Sequence, residues 1–562
     1  MPRIANRLFF AIWLCFAIRL LFYAAVYPLW EGLDEWAHLA YVDHLREHAS
    51  APTPETPVSG EIAASLRLLP LAPHLPPTVG TGLSHKAYWR LPAEERARRQ
   101  DAVHALRLGQ PPQPEIVAKN YQAQHPPIAY RLMQLADAAL GFVSLPDRVF
   151  ALRFLLVLLV SLTMPLLWML CHRVFATPAL ALPSCLVLAL LPNFAVYVAR
   201  LSNDALAMVL LAASLVAMAG YSSGRLSLLS PVFCAVIVSL TALTKAYGIL
   251  LVPVFALVCL WPQPGAPSLA TRFRHFAVFL GTFLAIAGWW YLPVFLGTGT
   301  LSGEALDVQA AAIPLSQRLP NLLKVDWWRV WMLGSESFIW ISGWSFLLLD
   351  DWLCWVFRAI GLAALVGLLR AAVRGWKGRA ERRSVTVPAF WLVPLPLAAL
   401  FVFAIAYQGW QIFNAFGDST AVGWYLTSAS TAGIVVLLAG LAHLFGARVA
   451  PNIAAALALV VAALDLFTLH FVSLPYYAGL HATMPPARMP VLSASIWPSG
   501  GLPEIAERLA VNHPSWLSGE VLLGMWLFYL PAFGFLVALA LRLLLARPPA
   551  DGASASSAML RQ

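Results

Sequence analysis

Two adjacent carboxylates, Asp34 and Glu35, stand in the stretch Glu31-Gly32-Leu33-Asp34-Glu35-Trp36-Ala37-His38, just beyond the first long apolar run. Such a run ends where a chain emerges from a bilayer, and ionisable groups at that depth are costly unless they are used. A carboxylate held there can take a proton from an attacking hydroxyl. Asp34 is therefore the candidate base, and Glu35 is the second catalytic candidate. His38 is placed to orient the base or to bind substrate hydroxyls. The simpler reading is a capped helix start, because Asp suits an N-cap and acids suit the positive end of a helix dipole. A second acid weakens that reading, since Asn203-Asp204 heads another helix on the same side of the expected membrane.

Cations that could hold a phosphate come next. Lys245, in Thr244-Lys245-Ala246-Tyr247, follows one apolar run and precedes another. It reads either as a snorkelling lysine or as the cation for a lipid phosphate, with Arg200 as a second choice and Tyr247 beside it. His125, in Tyr121-Gln122-Ala123-Gln124-His125-Pro126-Pro127, is a substrate-contact candidate in what could equally be a rigid loop end. Glu336 is the only acid between Asp326 and Asp350. It lies among Trp327, Trp328, Trp331, Trp340 and Trp344, which read first as an interface belt and second as a sugar-stacking surface. Asn414, Asp418, Trp424 and Tyr425 line the outer end of a late helix. No Gly-rich phosphate loop, Walker sequence or metal-ligand spacing occurs. No metal or cofactor is assigned, and a divalent cation held by converging carboxylates is the open alternative.

The elements that must position these residues are membrane helices. The chain of 562 residues is 60% hydrophobic and 11% charged, with a mean hydropathy of +0.72. A soluble domain would carry about twice that charged fraction. Apolar runs fall at roughly 8–28, 149–170, 178–198, 203–220, 227–244, 248–261, 276–296, 352–373, 387–408, 422–446, 452–473 and 519–546. The expectation is an all-α polytopic bundle of about twelve transmembrane helices. The first run reads as a retained helix, with no small-residue cleavage site. The six Cys read as packing residues. The net charge of +10 follows the positive-inside pattern and implies no nucleic acid.

Residues 29–147 read as one large external loop with short helices, the first over Asp34–His48. Residues 126–142, interrupted by Arg131 and Asp137, read as interfacial. If that segment does not span, Arg173, Arg225, Arg272, Arg274, Arg448 and the cluster Arg370, Arg374, Lys377, Arg379, Arg382, Arg383 all fall inside. The unusual polar residues then collect outside, in 29–147, 297–351, 409–421, 474–518 and the turns at 200–204 and 244–247. The expected organisation is a first module over 1–300, a C-terminal set of helices over 301–547, and a disordered cytoplasmic tail over 548–562.

In this order the features resemble the GT-C superfamily of lipid-phosphate-sugar glycosyltransferases, which includes protein mannosyltransferases and lipid A aminoarabinose transferases. Asp34-Glu35 with His38 follows helix one, and His125-Pro126-Pro127 with Tyr130 closes the first loop. Asn203-Asp204 follows a helix ending near Pro192, and Thr244-Lys245-Ala246-Tyr247 follows a later span. The matching covers roughly residues 1–260. Where many relatives carry an Arg-Tyr pair late in the chain, this one has Trp424-Tyr425. The resemblance implies an inverting transfer from a polyprenyl-phosphate-linked sugar to a glycan, lipid or protein acceptor. It implies a bacterial inner membrane location among membrane lipids, with the site on the periplasmic face. A flippase of lipid-linked glycans is the competing class, disfavoured by the absence of an internal repeat and by acids at helix ends rather than mid-span. A non-catalytic assembly subunit is the third.

Overall fold

The computed structural model describes residues 2–72, 83–110, 119–222, 229–261, 268–376, 385–481 and 499–546. Among them the chain is helical, with isolated bridges and no named strand. All twelve expected apolar runs are helices. Among the described residues nine helices are long and apolar enough to cross a membrane, and Pro178–Leu190 with Pro192–Val198, bent by 56°, makes a tenth if the bent pair is one span. The remaining two runs are the shorter apolar helices Ser230–Ala242 and Ala246–Leu260. Arg225, the cluster from Lys377 to Arg383 and the tail 548–562 lie outside the described residues.

The N-terminal helix Pro2–Val26 is central to the bundle and packs on Gly519–Leu545, Leu145–Val160 and Ala181–Leu190. Ile12, Phe16, Leu20 and Tyr23 are buried, while Phe10 and Leu14 face outward as lipid-facing side chains do. One buried charge lies in this helix. Arg19 donates to Asp465 through Nε at 3.2 Å and Nη2 at 2.5 Å, and also to the carbonyl of Leu191 at the bend. Tyr23 and Tyr529 donate to the same carboxylate. Asp465 lies in the middle of the span Ala450–Tyr477, which corrects the expectation that acids sit only at helix ends. Four donated hydrogen bonds surround the carboxylate, as a buried acid requires to persist.

The first loop is a packed cap. It holds the helices Glu35–Glu47, Gly60–Leu68, His85–Trp89, Ala93–His104 and Ile128–Leu140. Ile128–Leu140 has 13 residues, about 20 Å, too short to span. Its Leu132, Leu135 and Leu140 are exposed, while its Asp137 is buried. Arg148 at the start of the next helix donates to Asp137 and Asp43, and Arg46 donates to Asp137 at 2.7 Å. These pairs tie the cap to the bundle.

The Trp cluster divides. Trp327, Trp328 and Trp331 are exposed, whereas Trp340 is fully buried. The five indoles therefore do not share one surface, and the exposed three fit an interface belt.

Candidate active site

The helix Glu35–Glu47 begins at Asp34, but Asp34 does not cap it. Its backbone is left-handed, at φ 63° and ψ 8°, and its side chain accepts no cap hydrogen bond. Non-Gly residues adopt that region at a cost that persists only where the surroundings impose it. The turn is closely packed on both sides. A Cβ on Gly32 would lie 2.4 Å from Cβ of Arg200, and a Cβ on Gly343, at φ +92°, would lie 2.3 Å from the carbonyl of Glu31. Glu31 is itself an anchor, accepting from the N–H of Ser345 at 2.7 Å and from the hydroxyl of Tyr477 at 3.2 Å.

Turned away from the helix, the half-buried Asp34 accepts a 2.7 Å hydrogen bond from the Tyr121 hydroxyl. Burial pushes its carboxyl above the usual range, an effect that Arg200 and the Tyr121 bond partly oppose. Glu35 occupies a different environment. Its carboxylate accepts from Arg153 Nε at 2.6 Å, Arg153 Nη2 at 2.5 Å, the N–H of Leu201 at 2.8 Å and the N–H of Trp30 at 3.2 Å. Those four donors fill the four lone-pair directions of a carboxylate. The pairing of Asp34 with Glu35 as a chemical unit is not what the geometry offers, because Glu35 is fully occupied by the scaffold.

The other two stretches meet Asp34 through Arg200. Its Nη1 donates to the carbonyl of Leu33 at 2.7 Å, and its Nη2 donates to Asp204 at 3.0 Å. Lys245 Nζ donates to the other oxygen of Asp204 at 2.7 Å, and the Tyr247 hydroxyl stands 3.5 Å from it. Asn203 donates to the carbonyl of Thr244 at 3.1 Å, binding the two turns together. Aromatic rings wall the cations. Arg200 lies 4.4 Å from the Tyr197 centroid, and Lys245 lies 5.5 Å from that of Tyr425.

His38 hydrogen-bonds Tyr130 at 2.9 Å, and His125 is buried behind Tyr41, whose hydroxyl donates to its carbonyl. Burial holds His38 well below the usual imidazole range and pushes His125 down to about 3. Both are neutral hydrogen-bonding groups near Lys245. Glu336 is buried in the helix Trp327–Ile339, which packs on the segment Gly423–Ala429 carrying Tyr425. No bond of the Asp204 network described above runs to it. Among the described residues, no three His, Cys, Asp or Glu side chains are placed to hold a metal ion.

Three residues of this constellation were not site candidates on sequence. Arg153 could have been found as a charge inside an apolar run. Tyr121 stood in a quoted motif without a role. Glu304, in the long loop before the helix Ala305–Ala311, gave no signal, yet it lies within electrostatic reach of Asp34 and Lys245.

Residues 124–291 match the family model of dolichyl-phosphate-mannose-protein mannosyltransferases. That segment contains His125, Arg200, Asn203, Asp204, Lys245 and Tyr247, and over it the expected GT-C resemblance is borne out. Among solved structures, the chain is similar to ArnT from Cupriavidus metallidurans bound to undecaprenyl phosphate. The identity there is 15% over 89% of this chain and 86% of that one, with a TM-score of 0.34. It is also similar to the oligosaccharyltransferase AglB from Archaeoglobus fulgidus in complex with an inhibitory peptide and a dolichol-phosphate. In that case the identity is 12% over 84% of this chain and 56% of that one, with a TM-score of 0.37. The chain spans about half the length of the archaeal oligosaccharyltransferases it matches. No curated protein sequence matches it.

Proposed function

We propose that this protein is an inverting glycosyltransferase that moves a sugar from a polyprenyl-phosphate carrier to an acceptor hydroxyl on the non-cytoplasmic face of a bacterial inner membrane. The observation that carries the reading is the junction at Arg200, which brings a tyrosine-bonded carboxylate, Asp34, beside the Lys245–Asp204–Arg200 charge network. The family match over residues 124–291 supports a lipid-phosphate donor.

The chemistry follows from the groups present. The acceptor oxygen forms a bond to the anomeric carbon on the face opposite the phosphate. The bonding pair between that carbon and the phosphate oxygen leaves with the phosphate, and the acceptor proton passes to Asp34. Lys245 and Arg200 stabilise the departing charge. Asp204 engages one N–H of each, and an ammonium carries three donors and a guanidinium five. Donors therefore remain on both for a phosphate. Asp204 holds the two cations in place, Glu35 with Arg153 fixes the turn that presents Asp34, and the neutral His38 and His125 contribute hydrogen bonds rather than charge.

The test is to purify the lipid-linked sugar that accumulates when the gene is deleted and to supply it to membranes bearing the protein. Release of polyprenyl phosphate by the wild type, and not by Asp34→Asn, supports the transferase. Movement of the intact lipid-linked sugar across the bilayer without release supports a flippase, the reading that the mid-span Arg19–Asp465 pair favours.

A further inference from the structure

Resting on the transferase reading, we propose that the acceptor is a membrane lipid, and that its hydrocarbon chain lies in an apolar groove beside the base. The groove, about 490 Å³, is the gap between the interfacial helix Ile128–Leu140, the membrane helix Leu145–Val160 and the start of Asp204–Ser222. The first two helices each give it a stripe at i, i+3, i+4 and i+7, from Ala129 to Ala136 and from Leu152 to Leu159. Leu132 and Leu155 are exposed at its rim, while Ala129, Met133 and Leu152 are buried.

One polar side chain lines this groove. Ser202 is 2% exposed, yet its hydroxyl bonds to no described residue. It belongs to the turn that carries Arg200, Asn203 and Asp204, so the groove reaches the site described above. A hydroxyl without a partner in an otherwise apolar lining suits the polar junction between a lipid's chain and its head group.

The groove lies on the base's side of the site. Two residues along a helix turn it by about 200°, so Leu206, in the groove, stands opposite Asp204, which bonds Lys245. The helix Asp204–Ser222 thus separates the groove from the cations that take the leaving phosphate. Tyr130, between the groove residues Ala129 and Met133, hydrogen-bonds His38 at 2.9 Å, and the N–H of His38 bonds the carbonyl of Asp34 at 3.0 Å. In an inverting transfer the acceptor attacks from the face opposite the phosphate. A chain held here therefore belongs to the acceptor rather than to the isoprenoid of the donor. A free glycan offers no hydrocarbon to such a lining, whereas a lipid chain gains by burial in it.

The experiment uses purified full-length protein in nanodiscs and the radiolabelled lipid-linked sugar from the deletion strain. Membranes of that strain, split into a solvent-extracted lipid fraction and a residue of protein and polysaccharide, supply the acceptor. Label is expected in a lipid product that survives mild acid, which cleaves the phosphate-linked donor. Ala136→Phe and, from the opposite wall, Leu155→Trp narrow the groove. Each should raise the KM for the lipid fraction roughly tenfold while undecaprenyl phosphate binding and the unfolding midpoint stay near those of the wild type. Ser202→Ala should raise the same KM without moving the midpoint, because its hydroxyl holds nothing within the protein. Label in the protein and polysaccharide residue instead of the lipid product overturns the proposal. So does a loss of undecaprenyl phosphate affinity in both narrowed variants, which would put the donor's chain in the groove, or no change in either, which would leave it to bulk lipid. Failure of the wild type to release polyprenyl phosphate with any fraction would instead sink the transferase reading beneath it.

Discussion

Tyr121 donates its hydroxyl to Asp34 at 2.7 Å across 87 positions of sequence, closing the first loop onto the turn where it began. This bond stabilises the charged form of Asp34 against the burial that raises its pKa. A base must be ionised to act, so activity falls as pH drops through that pKa. Tyr121→Phe removes the opposing bond, and the acid limb of the pH–rate profile should move to higher pH, with turnover at neutral pH reduced about tenfold or less. An unmoved acid limb would separate Tyr121 from the base.

Glu35 and Arg153 should report on stability first. Glu35→Gln leaves a buried guanidinium without its counter-charge, a change that costs about 3–5 kcal/mol where such pairs are broken. The unfolding midpoint in detergent should fall sharply, while the fraction that remains folded keeps measurable transfer. Complete inactivity in a fully folded Glu35→Gln protein would restore Glu35 to the chemistry.

Lys245→Ala should weaken undecaprenyl phosphate binding by an order of magnitude or more, as expected when a charge-assisted contact to phosphate is lost. Lys245→Arg, which keeps the charge and can still reach Asp204, should recover part of it. Equal binding by wild type and Lys245→Ala would move the phosphate elsewhere.

The Arg19–Asp465 pair separates the transferase from the flippase. Asp465→Leu strands a buried guanidinium and should abolish accumulation of the protein, whereas the double variant Arg19→Met, Asp465→Leu should fold and transfer sugar. Transfer lost in a well-folded double variant would show that the pair works in the cycle.

The twelve apolar runs were legible because membrane helices advertise themselves by length and composition, and each is a helix in the structure. The boundaries were less so. The run ending near 408 continues to Phe416, where Gly417 at φ +72° stops it. Asp34, Asp204 and Lys245 could be singled out because each charge breaks an apolar context. Their juxtaposition needed only the two-sidedness of the membrane to be guessed. What stayed hidden are pairings between distant segments: Tyr121 with Asp34, Arg153 with Glu35 across 118 positions, and Arg19 with Asp465 across 446. Nothing local distinguishes a carboxylate that will be filled by four donors from its neighbour that will accept one tyrosine hydroxyl, and so Asp34 and Glu35 read alike in sequence.

That difference makes Asp34→Asn the most direct measurement. With the lipid-linked sugar from the deletion strain as substrate, release of polyprenyl phosphate should fall by roughly 10²–10⁴-fold, the usual contribution of a positioned base. Binding of undecaprenyl phosphate and the unfolding midpoint should stay near those of the wild type. An Asp34→Asn protein that retains most of its transfer activity would contradict the account.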